Sequence, residues 1–314
     1  MRIVCLGAGG IGGYFGGRLV EAQSADVSFI VRPNRKQQLE RDGLVVESPL
    51  GDFTVKVDAV LSDEVRAPAD VVLLTCKAYD LDSAIASIKP AVGENTAILP
   101  LLNGMSHLDT LNAEFGKHRV LGGLAGIAIT LLPDGRIKHM NDWGMITFGE
   151  QDGAMSPRVT ALQAALDATK GTTVTATPEI MQKMWEKLVF LSTLAAMTTL
   201  MRANVGEIAR APCGVDLMLE LLKRTASIAL AEGFPMPDAY MERNRRLLDD
   251  PESTLTASML RDLERGGPVE ADHVVGYLLN KARAHGIDDT LHRVAYANLK
   301  AYEQRRAAGR LLSV

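Results

Sequence analysis

Hydrophobic residues in the first half of the chain fall into short unbroken runs separated by more polar stretches. The four clearest runs, rich in aliphatic residues, are residues 3–6, 27–31, 71–75 and 97–102. Apolar runs without polar alternation are typical of parallel strands that are buried on both faces. Helical patterns follow the first run, to about residue 21, and the third run, around residues 80–88. This succession of strand, helix and strand predicts a doubly wound α/β sheet.

Further strands are expected in the same half of the chain. Residues 44–47 and 53–57 flank the turn Pro49-Leu50-Gly51-Asp52 and predict a hairpin. The strands expected to complete this domain are residues 120–132, 136–140 and 145–148, with a turn at Pro133-Asp134-Gly135.

The pattern changes after Pro178, where helical periodicity replaces the short apolar runs. Helices are predicted at residues 179–201, 217–232, 253–264, 271–285 and 290–306. His285-Gly286 suits the end of a helix, because glycine is favoured just beyond the last turn. We therefore expect two domains: residues 1–177, with a Rossmann-type doubly wound sheet, and residues 178–314, which are all helical.

The composition restricts the classes of partner. The chain has 314 residues, 47% of them hydrophobic and 23% charged, and its net charge is −4. These values fit a soluble globular protein and favour neither a nucleic acid nor an anionic membrane as partner. No apolar run reaches the roughly 20 residues that span a bilayer, and the first residues read directly as a strand, which argues against a signal peptide. The three cysteines and six histidines show no disulfide or metal spacing. A cytoplasmic, metal-free protein is expected, and a homodimer is compatible with a sequence that does not specify oligomeric state.

A glycine loop follows the first strand. The segment Gly7-Ala8-Gly9-Gly10-Ile11-Gly12 fits the pattern GxGxxG between a strand and a helix. Glycine at these places allows a tight turn, close approach of a pyrophosphate and tight packing of helix on strand, and the N-terminus of the helix attracts phosphate. The residues predicted to bind a dinucleotide are Gly7, Gly9, Gly10, Ile11 and Gly12.

The residue that follows the second strand distinguishes the two nicotinamide dinucleotides. An acidic residue there binds the ribose 2′-hydroxyl of NAD and repels the 2′-phosphate of NADP. This chain has Arg32, whose guanidinium matches a phosphate in charge and geometry. NADP, acting as NADPH, is therefore the predicted cofactor. The alternative is a surface arginine with no ligand.

Lys187 lies in an apolar helical segment, far along the chain from the glycine loop. A nicotinamide supplies hydride but no proton, so the reduction of a ketone also needs an acid near the carbonyl oxygen. Lys187 is a candidate for that acid. The alternative is a lysine whose stem packs while its ammonium reaches solvent.

Taken in order, these segments resemble the ketopantoate reductase family over nearly the whole chain. Besides the glycine loop and Arg32, the segments that carry the resemblance are Thr75-Cys76-Lys77-Ala78, Asn103-Gly104-Met105, Trp185-Glu186-Lys187-Leu188, Asn204-Val205-Gly206-Glu207, Ser258-Met259-Leu260-Arg261-Asp262, Glu270-Ala271-Asp272, Gly276 and Arg283-Ala284-His285-Gly286-Ile287. The resemblance implies the NADPH-dependent reduction of a small 2-oxoacid, 2-dehydropantoate (ketopantoate), to pantoate on the route to pantothenate and coenzyme A.

The resemblance also implies roles for individual residues. Lys187 would be the general acid at the C2 carbonyl, and Glu270 the carboxylate that keeps its ammonium charged against desolvation. Asn103 would contact the nicotinamide ribose and the reacting centre, Lys77 would lie near the cofactor, and Ser258 would bind the substrate carboxylate. Without the resemblance, Ser258 is a capping or back-bonding residue and Asn103 belongs to a turn.

The chain departs from the family at two positions. The family usually carries asparagines four and eight residues after the lysine, where this chain has Leu191 and Ala195. Those amides ordinarily hold polar groups of the substrate, so a paralogue that reduces another 2-oxoacid is an alternative. A noncatalytic NADPH-binding protein is a further hypothesis, which the pair Lys187 and Glu270 disfavours. Leu191 also disfavours the 6-phosphogluconate dehydrogenase type, which has an asparagine four residues after such a lysine.

Overall fold

The computed structural model describes residues 1–311, which form two compact units. The first unit comprises Met1–Leu102 and His107–Met181, and the second comprises Asn103–Ser106 and the chain from Gln182 onward. The division along the chain falls four residues after the boundary expected between residues 177 and 178. Residues 103–106 group with the helical unit, which no sequence pattern indicated.

The first unit contains all the named strands and five helices of the described chain. The strands are β1 (Arg2–Leu6), β2 (Asp26–Ile30), β3 (Leu44–Glu47), β4 (Phe53–Val55), β5 (Asp58–Val60), β6 (Val71–Leu74), β7 (Ala97–Pro100), β8 (Leu121–Gly126), β9 (Ile129–Leu131), β10 (Ile137–His139), β11 (Met145–Glu150) and β12 (Thr173–Ala176). The helices are α1 (Gly10–Ala22), α2 (Pro33–Asp42), α3 (Leu81–Ile88), α4 (Ser106–Phe115) and α5 (Pro157–Asp167); the first residue of α4, Ser106, groups with the second unit.

A parallel sheet forms the centre of this unit. Its strand order is β5-β2-β1-β6-β7, and every neighbouring pair is parallel. Ile3 on β1 lies opposite Val27 and Val71 in the register, and it is completely buried. A bridge between Ile98 and Val120 leads from β7 to the sheet β12-β11-β8. The predicted doubly wound α/β fold is confirmed.

A smaller sheet, β4-β3-β10-β9, contains the predicted hairpin of β3 and β4. The single strand expected at residues 120–132 was wrong, because β8 and β9 are separate and belong to different sheets. The strand is interrupted around Ala128, whose backbone N–H donates to Oδ1 of Asn141 at 2.7 Å. A side chain therefore takes the place of a ladder partner there.

Helix α1 packs closely because its glycines leave room for both sheets. A Cβ on Gly16 would lie 2.7 Å from Sγ of Cys5, and a Cβ on Gly17 would lie 2.8 Å from side-chain atoms of Leu44 and Phe53. Cys5 belongs to the parallel sheet, whereas Leu44 and Phe53 belong to the smaller one. Alanine in these places would overpack the core. Gly16 and Gly17 therefore let the middle of α1 pack closely against both sheets.

The second unit is helical. Its helices are α6 (Ile180–Met201), α7 (Val205–Arg210), α8 (Gly214–Ala231), α9 (Asp238–Leu248), α10 (Ser258–Glu264), α11 (Tyr277–Ala284) and α12 (Thr290–Ala307). A π-helical turn, Asp272–Gly276, runs directly into α11. No helix in the described part of the chain is long and apolar enough to cross a membrane.

The prediction of a helix over residues 253–264 was wrong at its N-terminal end, since α10 starts at Ser258. The backbone carbonyls of Ser253 and Leu255 accept hydrogen bonds from Gly206 and Val205, at 2.9 and 3.0 Å. These bonds satisfy the first N–H groups of α7. Residues 253–257 therefore run as an irregular segment, because a neighbouring helix start uses their carbonyl groups.

Candidate active site

The turn between β1 and α1 has the local geometry of a dinucleotide-binding loop. Gly7 has a φ of +91°, in the region that favours glycine. A Cβ on Gly12 would lie 2.3 Å from the carbonyl oxygen of Gly7 and 2.4 Å from Oγ1 of Thr75. A Cβ on Gly9 would meet no described atom within 4 Å. The loop is therefore tight at its base and open at Gly9.

The first turn of α1 suits an anionic group. Residues 10–13 are glycine and isoleucine alone, so the turn adds no negative side chain to the positive end of the helix dipole. Oγ1 of Thr75 donates to the carbonyl oxygen of Leu6 at 2.8 Å and ties β6 to the end of β1. These residues fit a pyrophosphate, and Thr75 is a supporting residue to which sequence reasoning assigned no role.

The basic residues that follow β2 differ in what they contact. Arg32 is the residue before α2, and its side chain is 84% exposed. Arg35 instead donates two hydrogen bonds to the carbonyl oxygen of Ala8, at 2.8 and 3.2 Å, and so stabilises the glycine loop. Lys36 pairs with Glu64 at 2.5 Å. Of these three cations, Arg32 is the one that stays available to a ligand.

Arg32 and Lys77, two of the predicted cofactor-binding residues, each contact Asp80. Nη2 of Arg32 is 3.9 Å from Oδ1 of Asp80, a contact too long and too exposed to hold the guanidinium firmly. Lys77 is partly buried after β6, and its backbone carbonyl accepts from the N–H of Asp80 at 2.9 Å. Asp80 therefore contacts Arg32 through its side chain and Lys77 through its backbone, which the sequence pattern did not predict.

In the second unit, Lys187 lies on α6 and is partly buried. Its Nζ donates to Oδ1 of Asn103 at 3.2 Å. Burial lowers the pKa of Lys187 from 10.5 to about 8, and the negative charge of Glu270 opposes part of that shift. The structure thus brings together three of the predicted site residues. An ammonium with this pKa is still mostly protonated at neutral pH and gives up its proton more readily than an ordinary lysine.

Asn103 is held by a short turn that belongs to the same unit. Gly104 has a φ of +84°, and a Cβ on it would lie 2.5 Å from the backbone oxygen of His273. Glu270 is buried, 6% exposed, and its carbonyl accepts from the N–H of Val274 at 3.2 Å at the start of the helical run. The negative side chain therefore lies at the positive end of a helix. The π-helical turn that follows is a form often found near functional sites.

The remaining predicted residue, Ser258, is the first residue of α10 and is partly buried. Within the described chain its hydroxyl makes no hydrogen bond to Lys187, Asn103 or Glu270. Leu191 is partly buried one helical turn after Lys187, and Ala195 is buried. The geometry thus groups Lys187 with Asn103 and Glu270, and the role of Ser258 stays a prediction.

Comparisons with known proteins identify the family of the chain. Two family models match the chain: "Ketopantoate reductase PanE/ApbA" over residues 3–153 and "Ketopantoate reductase PanE/ApbA C terminal" over residues 179–303. The uncharacterized oxidoreductase YkpB of Bacillus subtilis (strain 168) is 34% identical over 306 residues, which cover 98% of this chain and 100% of that protein.

Solved structures show the same architecture. The 2-dehydropantoate 2-reductase from Methylococcus capsulatus has a TM-score of 0.87 at 26% identity, with 98% of each chain covered. The ternary structure of D-mandelate dehydrogenase with NADH and anilino(oxo)acetate has a TM-score of 0.85 at 20% identity, over 98% of this chain and 99% of that chain, and so shares the fold. This chain therefore belongs to the ketopantoate reductase family and is an oxidoreductase.

Proposed function

We propose that this chain is an NADPH-dependent reductase of 2-oxoacids, with 2-dehydropantoate as the first candidate substrate and pantoate as the product. The observation that carries the proposal is the partly buried ammonium of Lys187, hydrogen-bonded to Asn103 and influenced by the charge of Glu270. Keeping a desolvated charge costs free energy. A protein that merely bound the dinucleotide would gain nothing from that cost, whereas a reductase needs a proton donor.

When bound, the reduced nicotinamide supplies the hydride that the ketone carbon receives. Lys187 is proposed to donate a hydrogen bond to the carbonyl oxygen, to stabilise its developing negative charge and then to transfer a proton from Nζ. The hydrogen bond from Nζ to Oδ1 of Asn103 orients the ammonium group. Glu270 favours the protonated form between turnovers.

The choice of NADPH rests on Arg32. The fold alone does not select the cofactor, because the D-mandelate dehydrogenase that shares it is described with NADH. Arg32 presents an exposed guanidinium two residues after β2, where a carboxylate would favour NADH. We assign the 2′-phosphate to Arg32 and place Lys77 near the cofactor as a second cation. Ser258 is assigned to the substrate carboxylate.

A second candidate is the reduction of another branched or bulky 2-oxoacid. It is favoured by Leu191, a partly buried apolar residue one turn beyond Lys187, and by the buried Ala195. Neither side chain can form a hydrogen bond with a hydroxyl group of the substrate. A hydrophobic wall discriminates weakly against substrates that lack a polar group. We therefore expect 2-oxoacids without the hydroxyl of ketopantoate to be reduced nearly as well.

The test is a panel of 2-oxoacids assayed with purified protein by the loss of NADPH absorbance. The panel includes ketopantoate, ketoisovalerate and 2-oxoacids with larger side chains, each with NADPH and with NADH. Reduction of ketopantoate with a preference for NADPH supports the first candidate. Reduction of other 2-oxoacids with ketopantoate inactive supports the second, and oxidation of NADPH by none of them refutes both.

A further inference from the structure

The turn Asn103–Ser106 is fixed by two contacts with one residue, His273. The backbone oxygen of His273 lies against Gly104, where a Cβ would be 2.5 Å away. The ring Nδ1 of His273 lies 3.2 Å from Oγ of Ser106. One contact uses the backbone and the other the side chain, so His273 holds the turn at its second and fourth residues. Asn103 is the first residue of this turn, and its Oδ1 accepts the hydrogen bond from Lys187.

His273 also lies on the helical run that begins after Glu270. The carbonyl of Glu270 accepts from Val274, and His273 belongs to the π-helical turn Asp272–Gly276. The carboxylate that acts on Lys187 and the imidazole that holds the Asn103 turn are therefore three residues apart on one continuous segment. A second anchor steadies this segment, because Asp272 accepts from the Tyr296 hydroxyl at 2.5 Å and from Lys300 at 3.0 Å.

We propose that His273 is a positioning residue for the proton donor: through Ser106 it sets the place of Asn103 relative to Lys187. This inference rests on the proposed role of Lys187. Asn103 Oδ1 accepts a hydrogen bond from the Lys187 ammonium, and a bond to the charged form favours that form. Loss of the His273–Ser106 contact frees the turn, weakens that bond and lets the Lys187 proton leave at lower pH. The same displacement moves the ammonium away from the position in which it protonates substrate.

The first experiment does not depend on activity. The protein is labelled with ¹³C at the lysine Cε, the Lys187 resonance is assigned with Lys187→Met, and the titration is followed by NMR. His273→Phe and Ser106→Ala should each lower the titration midpoint of Lys187. His273→Asn should restore much of it, because an asparagine amide reaches Ser106 from nearly the place of Nδ1. Ser227→Ala, which removes an α8 hydroxyl bonded to the Lys223 carbonyl at 3.0 Å, is the matched control and should leave the midpoint unchanged.

A double-mutant cycle decides whether His273 acts through Asn103. Asn103→Ala alone should lower the Lys187 midpoint, and His273→Phe added to it should have no further effect. If His273→Phe lowers the Lys187 midpoint as much in the Asn103→Ala variant as in the unmutated protein, the proposal is overturned. It is also overturned if His273→Phe and Ser106→Ala each leave the midpoint unchanged. Ser106→Ala removes a single hydroxyl oxygen, so it tests the contact even if His273→Phe does not fold.

Kinetics then separate this inference from the proposed function. With the best 2-oxoacid found, His273→Phe should lower kcat about 10- to 100-fold, as expected for a misplaced catalytic group, with an unchanged KM for NADPH. An equal rise of the KM for NADPH would show a general structural defect and count against positioning. If no 2-oxoacid is reduced, the proposed function fails, whereas the titration still decides whether His273 positions the turn.

Discussion

The pKa of Lys187 gives the sharpest prediction about the reaction. If the protonated form is the working acid, kcat/KM for reduction must follow the protonated fraction of the free enzyme. With a pKa of about 8, roughly nine tenths of Lys187 is protonated at pH 7 and roughly one tenth at pH 9. The rate of reduction should therefore fall about tenfold between these two pH values. The reverse reaction needs the neutral amine as base, so oxidation of the hydroxyacid should rise through the same pKa.

Glu270→Gln tests the origin of that pKa. The charge of Glu270 raises the pKa of Lys187, in opposition to the desolvation that lowers it. Removal of the charge must therefore shift both the fall of reduction and the rise of oxidation to lower pH. Lys187→Met should reduce kcat by about 10²–10⁴ and abolish the pH dependence in this range. Lys183, one turn earlier and paired with Glu186 at 3.0 Å, provides the control: Lys183→Met should leave the rate and the profile almost unchanged.

The assay is steady-state kinetics at pH 6 to 10 in both directions, with protein stability checked at each pH. A reduction rate that stays flat to pH 9.5, or a profile that Glu270→Gln does not move, would show that Lys187 is not the titrating acid. A rate that falls in both directions at high pH would point to loss of structure instead.

Three further predictions concern the cofactor, the substrate and stability. Arg32→Ala should weaken NADPH binding by about 1.5–3 kcal/mol, as for a charge-assisted hydrogen bond, and leave NADH binding nearly unchanged; fluorescence titration measures both, and equal affinity of the unmutated protein for the two cofactors would refute the assignment. Leu191→Asn should raise kcat/KM for ketopantoate relative to ketoisovalerate, and an unmutated enzyme that already prefers ketopantoate several thousandfold would refute the idea of a relaxed pocket. Burial lowers the pKa of His292 to about 4, helped by the positive charge of Arg224. The folded pKa lies below the unfolded value near 6.5, so the unfolded chain binds the extra proton and the free energy of unfolding should drop by up to about 3 kcal/mol as pH falls from 6.5 to 4. Urea unfolding of His292→Leu should show a smaller drop, and an equal drop would contradict this account.

The features that depend on local sequence were predictable. The buried strands β1, β2, β6 and β7, the glycine loop and most helices follow from apolar runs, glycine and periodicity. Helices α2, α4, α5, α7 and α9 were not predicted. In α9 the reason is that Asp238–Leu248 is rich in charge and buries only Tyr240, Asn244 and Leu248, a stripe one residue wide. Such a narrow stripe does not stand out from a polar background.

The arrangement around Lys187 was predicted in part, from the family resemblance. Its physical basis depends on contacts between residues far apart in sequence, such as the bond between Lys187 and Asn103, 84 positions away. No local pattern shows that residues 103–106 group with the helical unit, or that His273 lies against Gly104. A pKa set by desolvation is likewise a property of the folded chain.

The substrate question turns on whether other hydroxyls on α6 replace the amides absent at Leu191 and Ala195. Thr193, Thr198 and Thr199 are buried, and each donates to the carbonyl four residues earlier, at 2.9, 2.7 and 2.6 Å. A hydroxyl has one proton to donate, and each of these groups gives that proton to its own helix, so it could only accept a hydrogen bond from a substrate. A hydrogen-bond donor to the hydroxyl oxygen of ketopantoate would therefore have to come from another element, and Ser258 at the start of α10 is the residue to mutate first.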